Sequence, residues 1–267
     1  MNTRKGRLNE VSVSTDVVYK IAVVKESRRP SRLKVESWAL SVARECGANV
    51  PKVIDYFVNQ YGQEVLVIEK IPRCVRLSRC LPQRRAMHML DVGRQLALLN
   101  HYAVSGYGWI DSTTLKGCYE TWKSFLLSYV DTFGSRLVAA EIVDSTYVAK
   151  IFATIKNTDL SLTSSCLIHR DLKSTNLLVD EKGKVWIVDW ENVILGDPLY
   201  DLAIVGTREG RNFVWQNLIV GRALEVDSPR YQLYETLALF GFLDFGRRYG
   251  QSYKGLCKRL SKILSAL

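Results

Sequence analysis

Between His169 and Asp201 the chain sets chemically capable side chains at short intervals. Asp171 and Asn176 lie five residues apart with Lys173 between them, and Asp189 follows downstream. Two carboxylates and a carboxamide oxygen are hard donors of the kind Mg²⁺ selects. The ion usually takes one or two from protein, and phosphate oxygens complete its octahedron. A carboxylate can accept a hydroxyl proton, and a lysine two residues on can neutralise a transferring phosphate. A base, two metal ligands and a cation are the parts phosphoryl transfer uses. A merely solvated Asp/Asn loop would not explain the ordered lysine and the second aspartate.

These side chains need a frame. The apolar run Cys166 to Ile168 reads as a strand entering the loop, and Asn176 opens a second strand, Leu177 to Val179. The Glu181-Lys182-Gly183 turn returns the chain along a strand from Lys184 to Asp189. That hairpin brings Asp171, Asn176 and Asp189 to one end. Upstream, Glu10 to Ser14 and Val17 to Val24 alternate and read as a two-stranded hairpin. Ser31 is the expected N-cap of a helix whose apolar residues Leu33, Val35, Trp38, Ala39, Val42 and Cys46 recur at helical spacing up to Gly47. Lys52 to Asn59 and Glu64 to Ile71 read as two more strands. Past Pro72 the pattern turns helical: Gln83 to His101, Glu120 to Phe133, Ser135 to Asn157, and most of Asp201 to Leu267. The expected division is a strand-rich lobe over residues 1–71 and a helical lobe over 72–267.

Composition narrows the class. Of 267 residues, 47% are hydrophobic and 24% charged, which excludes global disorder. No apolar run approaches the roughly 18–20 residues of a membrane-spanning helix, and residues 1–14 carry no apolar block that would read as a secretory signal. Six cysteines without a C-x-x-C pair read as free thiols of a reducing cytoplasm, and three histidines make a zinc enzyme unlikely. The net charge of +10 is dispersed, with no block resembling a nucleic-acid arm, so nucleic acid is not expected as an obligate partner. Nothing in the sequence signals an oligomeric state.

The stretch His169-Arg170-Asp171-Leu172-Lys173-x-x-Asn176 resembles the catalytic loop of the protein-kinase-like superfamily, H-R-D-L-x-x-x-N, with Asp189-Trp190-Glu191 at the D-F-G position. No A-P-E follows. Gly196-Asp197-Pro198-Leu199-Tyr200-Asp201 comes instead, and this resembles the aminoglycoside phosphotransferase and choline kinase branch, as does the Gly106 to Trp122 stretch. The resemblance implies an α+β, two-lobed protein-kinase-like fold with a small antiparallel-sheet lobe and a larger helical one. It implies ATP and Mg²⁺, with a small hydroxylated molecule as acceptor. By the same resemblance Lys20 pairs with Glu36 to hold the α/β-phosphates. Backbone groups of Glu69 and Ile71 in the interlobe hinge meet the adenine edge. Asp171 and Lys173 serve catalysis, Asn176 and Asp189 bind metal, and Glu191 could approach it. His169 positions the loop, and Asp201 anchors it through backbone N–H bonds or caps the helix it opens.

One part of the pattern is missing. There is no G-x-G-x-x-G, and Gly6, with Asn9 three residues later, is the only glycine before Lys20. Two other activities stay open on the residues: a protein Ser/Thr kinase and a non-catalytic nucleotide-binding protein. On the acceptor side, residues 202–267 hold ten basic and five acidic side chains, a balance of +5. That field disfavours a polycation and favours a neutral or anionic acceptor. The basic tail, 254–267, reads as a helix packed on the lobe, with weak contact to an anionic membrane surface as the other reading.

Overall fold

A computed structural model describes residues 2–5, 9–23, 32–162, 164–210, 212–222, 224, 226, 228–250 and 254–264. Alternating β-branched residues make an antiparallel five-stranded sheet from β1 (Asn2–Lys5), β2 (Asn9–Val13), β3 (Val17–Ala22), β4 (Val53–Val58) and β5 (Glu64–Glu69), in the order β1-β2-β3-β5-β4. Lys20 is paired with Val11 on one side and Leu66 on the other, in the middle of the central strand. α1 (Leu33–Glu45) packs its buried stripe, Leu33, Val35, Ala39, Leu40 and Val42, against the sheet.

The rest of the chain is mainly helical. In order come β6 (Val75–Arg76), α2 (Pro82–Leu98), β7 (Tyr107–Ile110), β8 (Gly117–Tyr119), α3 (Trp122–Ala139), α4 (Ser145–Asn157), β9 (Cys166–Ile168), β10 (Leu177–Val179), β11 (Val185–Ile187), β12 (Ile194–Gly196), α5 (Leu199–Glu209), α6 (Phe213–Arg222), α7 (Pro229–Arg248) and α8 (Lys254–Leu264). Two small sheets hold the catalytic segment: β11-β10-β6, and β8-β7-β12-β9. The mixed, two-lobed α+β architecture is the one the sequence implies. No helix among the described residues is long and apolar enough to cross a membrane.

Several local expectations change. Ser31, Val24 and Gly6 lie outside the described residues, and α1 has no side-chain cap bond from Arg32. The expected break near Gly134 is absent. α3 runs through that glycine, where an added Cβ would come within 3.0 Å of the Val148 side chain. The chain turns later, with Glu141 at φ 57°, and Asp144 caps α4 by accepting from the Thr146 N–H. Asp201 does not cap α5, because the helix begins two residues earlier, at Leu199, and the Asp197 carboxylate accepts the Leu199 N–H.

α2 and α6 cross closely, backbone against backbone. A Cβ on Gly93 would collide with the Leu218 carbonyl and the backbone of Gly221 and Arg222, and one on Gly221 would strike the Leu90 carbonyl. Backbone cannot yield as a side chain does. Gly93→Ala should therefore cost about 1–3 kcal/mol, the usual range for overpacking. Thermal unfolding will show it as a lowered Tm, with α5 and the catalytic loop unaltered.

Candidate active site

The site starts from a buried cation. Lys20 on β3 is 8% exposed and Glu36 on α1 is fully buried. The Lys20 Nζ donates to both Glu36 oxygens at 2.7 and 3.0 Å, and to Asp189 Oδ1 at 2.9 Å. Burial works against the ammonium, but Glu36, Asp189 and Glu191 outweigh it and hold Lys20 protonated, well above its ordinary range. The same Glu36 accepts the Trp190 N–H at 3.1 Å. One carboxylate thus ties the sheet to the segment after β11.

The catalytic loop is held from below by Asp201 on α5. It is fully buried and accepts the His169 N–H at 2.9 Å and the Arg170 N–H at 2.8 Å. Arg170 sits at φ 63°, a conformation that favours glycine, and such positions persist when the surroundings over-determine them. The His169 Nδ1 accepts the Asp171 N–H at 3.2 Å, so its Nε2 carries the proton and donates to the Val188 carbonyl at 3.1 Å. The ring is fully buried.

Asp171 is surrounded by donors. The Lys173 Nζ donates to Oδ2 at 2.6 Å, Asn176 Nδ2 donates to Oδ2 and to the Asp171 carbonyl at 3.0 Å each, and Arg208 pairs with Oδ1. Burial opposes ionisation of Asp171, but the Arg208 and Lys173 charges hold its carboxyl below the usual range. Arg208 and its neighbour Glu209, which accepts the Ser174 N–H at 2.8 Å, were not picked out in the sequence. A signal existed: Arg208 stands two helical turns after Asp201 and so shares its face.

The donor set suits Mg²⁺. Asp189, at φ 70°, offers its carboxylate, and Asn176, with Nδ2 committed to Asp171, offers its amide oxygen. Glu191 lies beside them, bonded by Asn9 Nδ2 at 2.6 Å, and burial together with Asp189 pushes it up to about 7. No group of three or more His, Cys, Asp or Glu capable of holding a metal occurs among the described residues. In the hinge segment the Glu69 N–H is spent on the Lys52 carbonyl at 2.8 Å, and the Ile71 carbonyl accepts from the Cys74 thiol at 3.3 Å. Asp201→Ala should orphan one buried and one part-buried N–H group, at about 1–3 kcal/mol for the buried one. Differential scanning calorimetry should register a large loss of Tm, and a loss of only a few tenths of a kcal/mol would remove Asp201 as the anchor.

Known proteins share the fold of this chain. The model of the phosphotransferase enzyme family matches residues 6–240. A thermostable mutant of aminoglycoside phosphotransferase APH(4)-Ia, in its apo form, superposes with a TM-score of 0.78 at 16% identity, covering 100% of this chain and 94% of that one. Its ternary complex with ADP and hygromycin B gives 0.75 at 17% identity, over 99% and 92%. Choline kinase LicA from Streptococcus pneumoniae gives 0.68 at 14% identity, over 100% and 94%. No curated protein matches by sequence. With most of its length matched and the catalytic hairpin within the matched span, the chain belongs to the phosphotransferase enzyme family.

Proposed function

We propose that the chain is an ATP- and Mg²⁺-dependent phosphotransferase that moves the γ-phosphate of ATP onto an alcohol hydroxyl of a small molecule. The observation that carries this reading is the Lys20 ammonium, held between Glu36 and Asp189 at 2.7 and 2.9 Å. A fixed cation beside a candidate metal ligand is what a polyphosphate needs. In this reading residues 1–71 form the nucleotide lobe and 72–267 the acceptor lobe, and the backbone of Glu69 and Ile71 faces the adenine. Bound Mg²⁺, held by Asn176 and Asp189, supplies charge neutralisation to the phosphate oxygens.

Asp171 orients the acceptor hydroxyl and takes its proton. Two cations hold its basicity down. That suits a loose transition state, in which the nucleophile needs orientation more than early deprotonation. Lys173 moves from Asp171 to the transferring phosphoryl group as charge develops there. The ADP and hygromycin B complex of the APH(4)-Ia relative supports nucleotide use and a hydroxylated acceptor. The +5 balance over residues 202–267 favours a neutral or anionic acceptor over a polycation.

Asp171→Asn should lower kcat by about 10²–10⁴-fold, the usual share of a general base, with ATP binding retained. Asp189→Asn should abolish metal-dependent nucleotide binding. Calorimetric ATP titrations with and without Mg²⁺, beside coupled ADP release, check both. Wild-type behaviour in both variants would sink the assignment. A panel of acceptors at low salt tests the charge argument: preference for kanamycin-like polycations over neutral sugars contradicts it.

A further inference from the structure

A second charge cluster lies on the helical wall beyond the catalytic loop. Asp244 on α7 is fully buried, and three guanidiniums converge on it. Arg248 Nε lies 2.8 Å from Oδ2, Arg247 Nη2 3.3 Å from Oδ1, and Arg136 Nη1, from α3, 3.8 Å from Oδ2. One arginine neutralises one carboxylate, so the other two guanidinium charges have no counterpart in the cluster. No other carboxylate among the described residues forms an ion pair with these three. Their side chains are not buried with Asp244 but 27–43% exposed. The Arg248 Nε contact is close yet misaligned, and neither Nε nor Asp244 Oδ2 completes a hydrogen bond. The carboxylate gathers the arginines without saturating them.

The cluster connects to the site through aromatic rings. Arg170, adjacent to Asp171, lies over Trp109 at 4.4 Å and Tyr129 at 5.9 Å. Tyr129 stacks on Phe133 at 4.3 Å, and Arg136 lies over Phe133 at 5.5 Å. On the same helix as Asp244, Phe242 carries Arg208, the partner of Asp171, at 4.7 Å. α3 and α7 therefore each carry both an aromatic ring linked to the Asp171 site and a member of the arginine cluster.

We propose that Arg136, Arg247 and Arg248 form an oxyanion subsite that takes a phosphate or carboxylate group carried by the acceptor. The proposal rests on the phosphotransferase reading and narrows its acceptor to an anionic hydroxy compound. Planar guanidinium forks gathered around one buried carboxylate match such a group through charge-assisted bonds.

The test fills the nucleotide site first. Protein saturated with AMP-PNP and Mg²⁺ is titrated calorimetrically with inorganic phosphate, and in a second arm with acetate. Saturable binding is expected, weakened about tenfold by Arg136→Gln or by Arg247→Gln, the equivalent of one charge-assisted bond, and abolished by the pair. AMP-PNP affinity in each variant reports that the protein is folded. Saturable binding that is equal in wild type and variants, or no binding at all, overturns the subsite. Absence of AMP-PNP binding to the wild type instead overturns the phosphotransferase reading, and the phosphate titrations of wild type and variants then judge the arginines alone. A further arm measures ADP release with glycerol 3-phosphate, glycerate and glycerol. The anionic-to-neutral ratio should exceed one and fall in the variants, with the first two acceptors separating phosphate from carboxylate. A ratio unchanged by the substitutions counts against the proposal.

Discussion

The structure depends on a lysine that has been taken out of water. Buried charge is tolerated only when paired and hydrogen-bonded, and removal of one partner leaves an uncompensated ion. Lys20 meets this demand with two carboxylates from distant parts of the chain, Glu36 on α1 and Asp189 after β11. The sheet, the helix laid over it and the hairpin of the other lobe are therefore positioned by one electrostatic requirement. Hydrophobic packing brings these elements close, whereas the ion network fixes their register.

A second buried carboxylate organises the other half of the site. Asp201 holds the two N–H groups on either side of the His169–Arg170 peptide turn, and α5 then carries Arg208 and Glu209 to the loop two turns further on. α8 reinforces that turn: Arg259 donates to the Thr207 carbonyl at 2.8 Å and pairs with Glu235 of α7 at 3.2 Å. Asp171 thus keeps its position through contacts that run outward to helices far from it in sequence.

Much of this was legible in the sequence because the chemistry is local. His169, Asp171, Lys173, Asn176 and Asp189 fall in one short span, and spacing alone brings Asp171, Asn176 and Asp189 to one hairpin end. The Lys20–Glu36 pair needed the resemblance, since strand and helix carry no mark of facing each other. Arg208 was missed because its partner is met through space. Gly134 misled because its propensity argues for a break, whereas close packing against the Val148 side chain favours a small residue inside a continuous helix. The short strands β6, β7, β8 and β12 have only two to four residues each, too few for a period to register.

Glu36 serves two masters at once, the Lys20 ammonium on both oxygens and the Trp190 N–H on one. An outward swing of α1 would strip a buried lysine and a buried amide together, at a combined cost of order 3–5 kcal/mol. An opening between the lobes would instead release the Trp190 amide and the Lys20–Asp189 pair while Lys20 and Glu36, both within residues 1–71, stay together. The Trp190 amide therefore reports on this joint, and its slow hydrogen exchange would mark the assembled geometry.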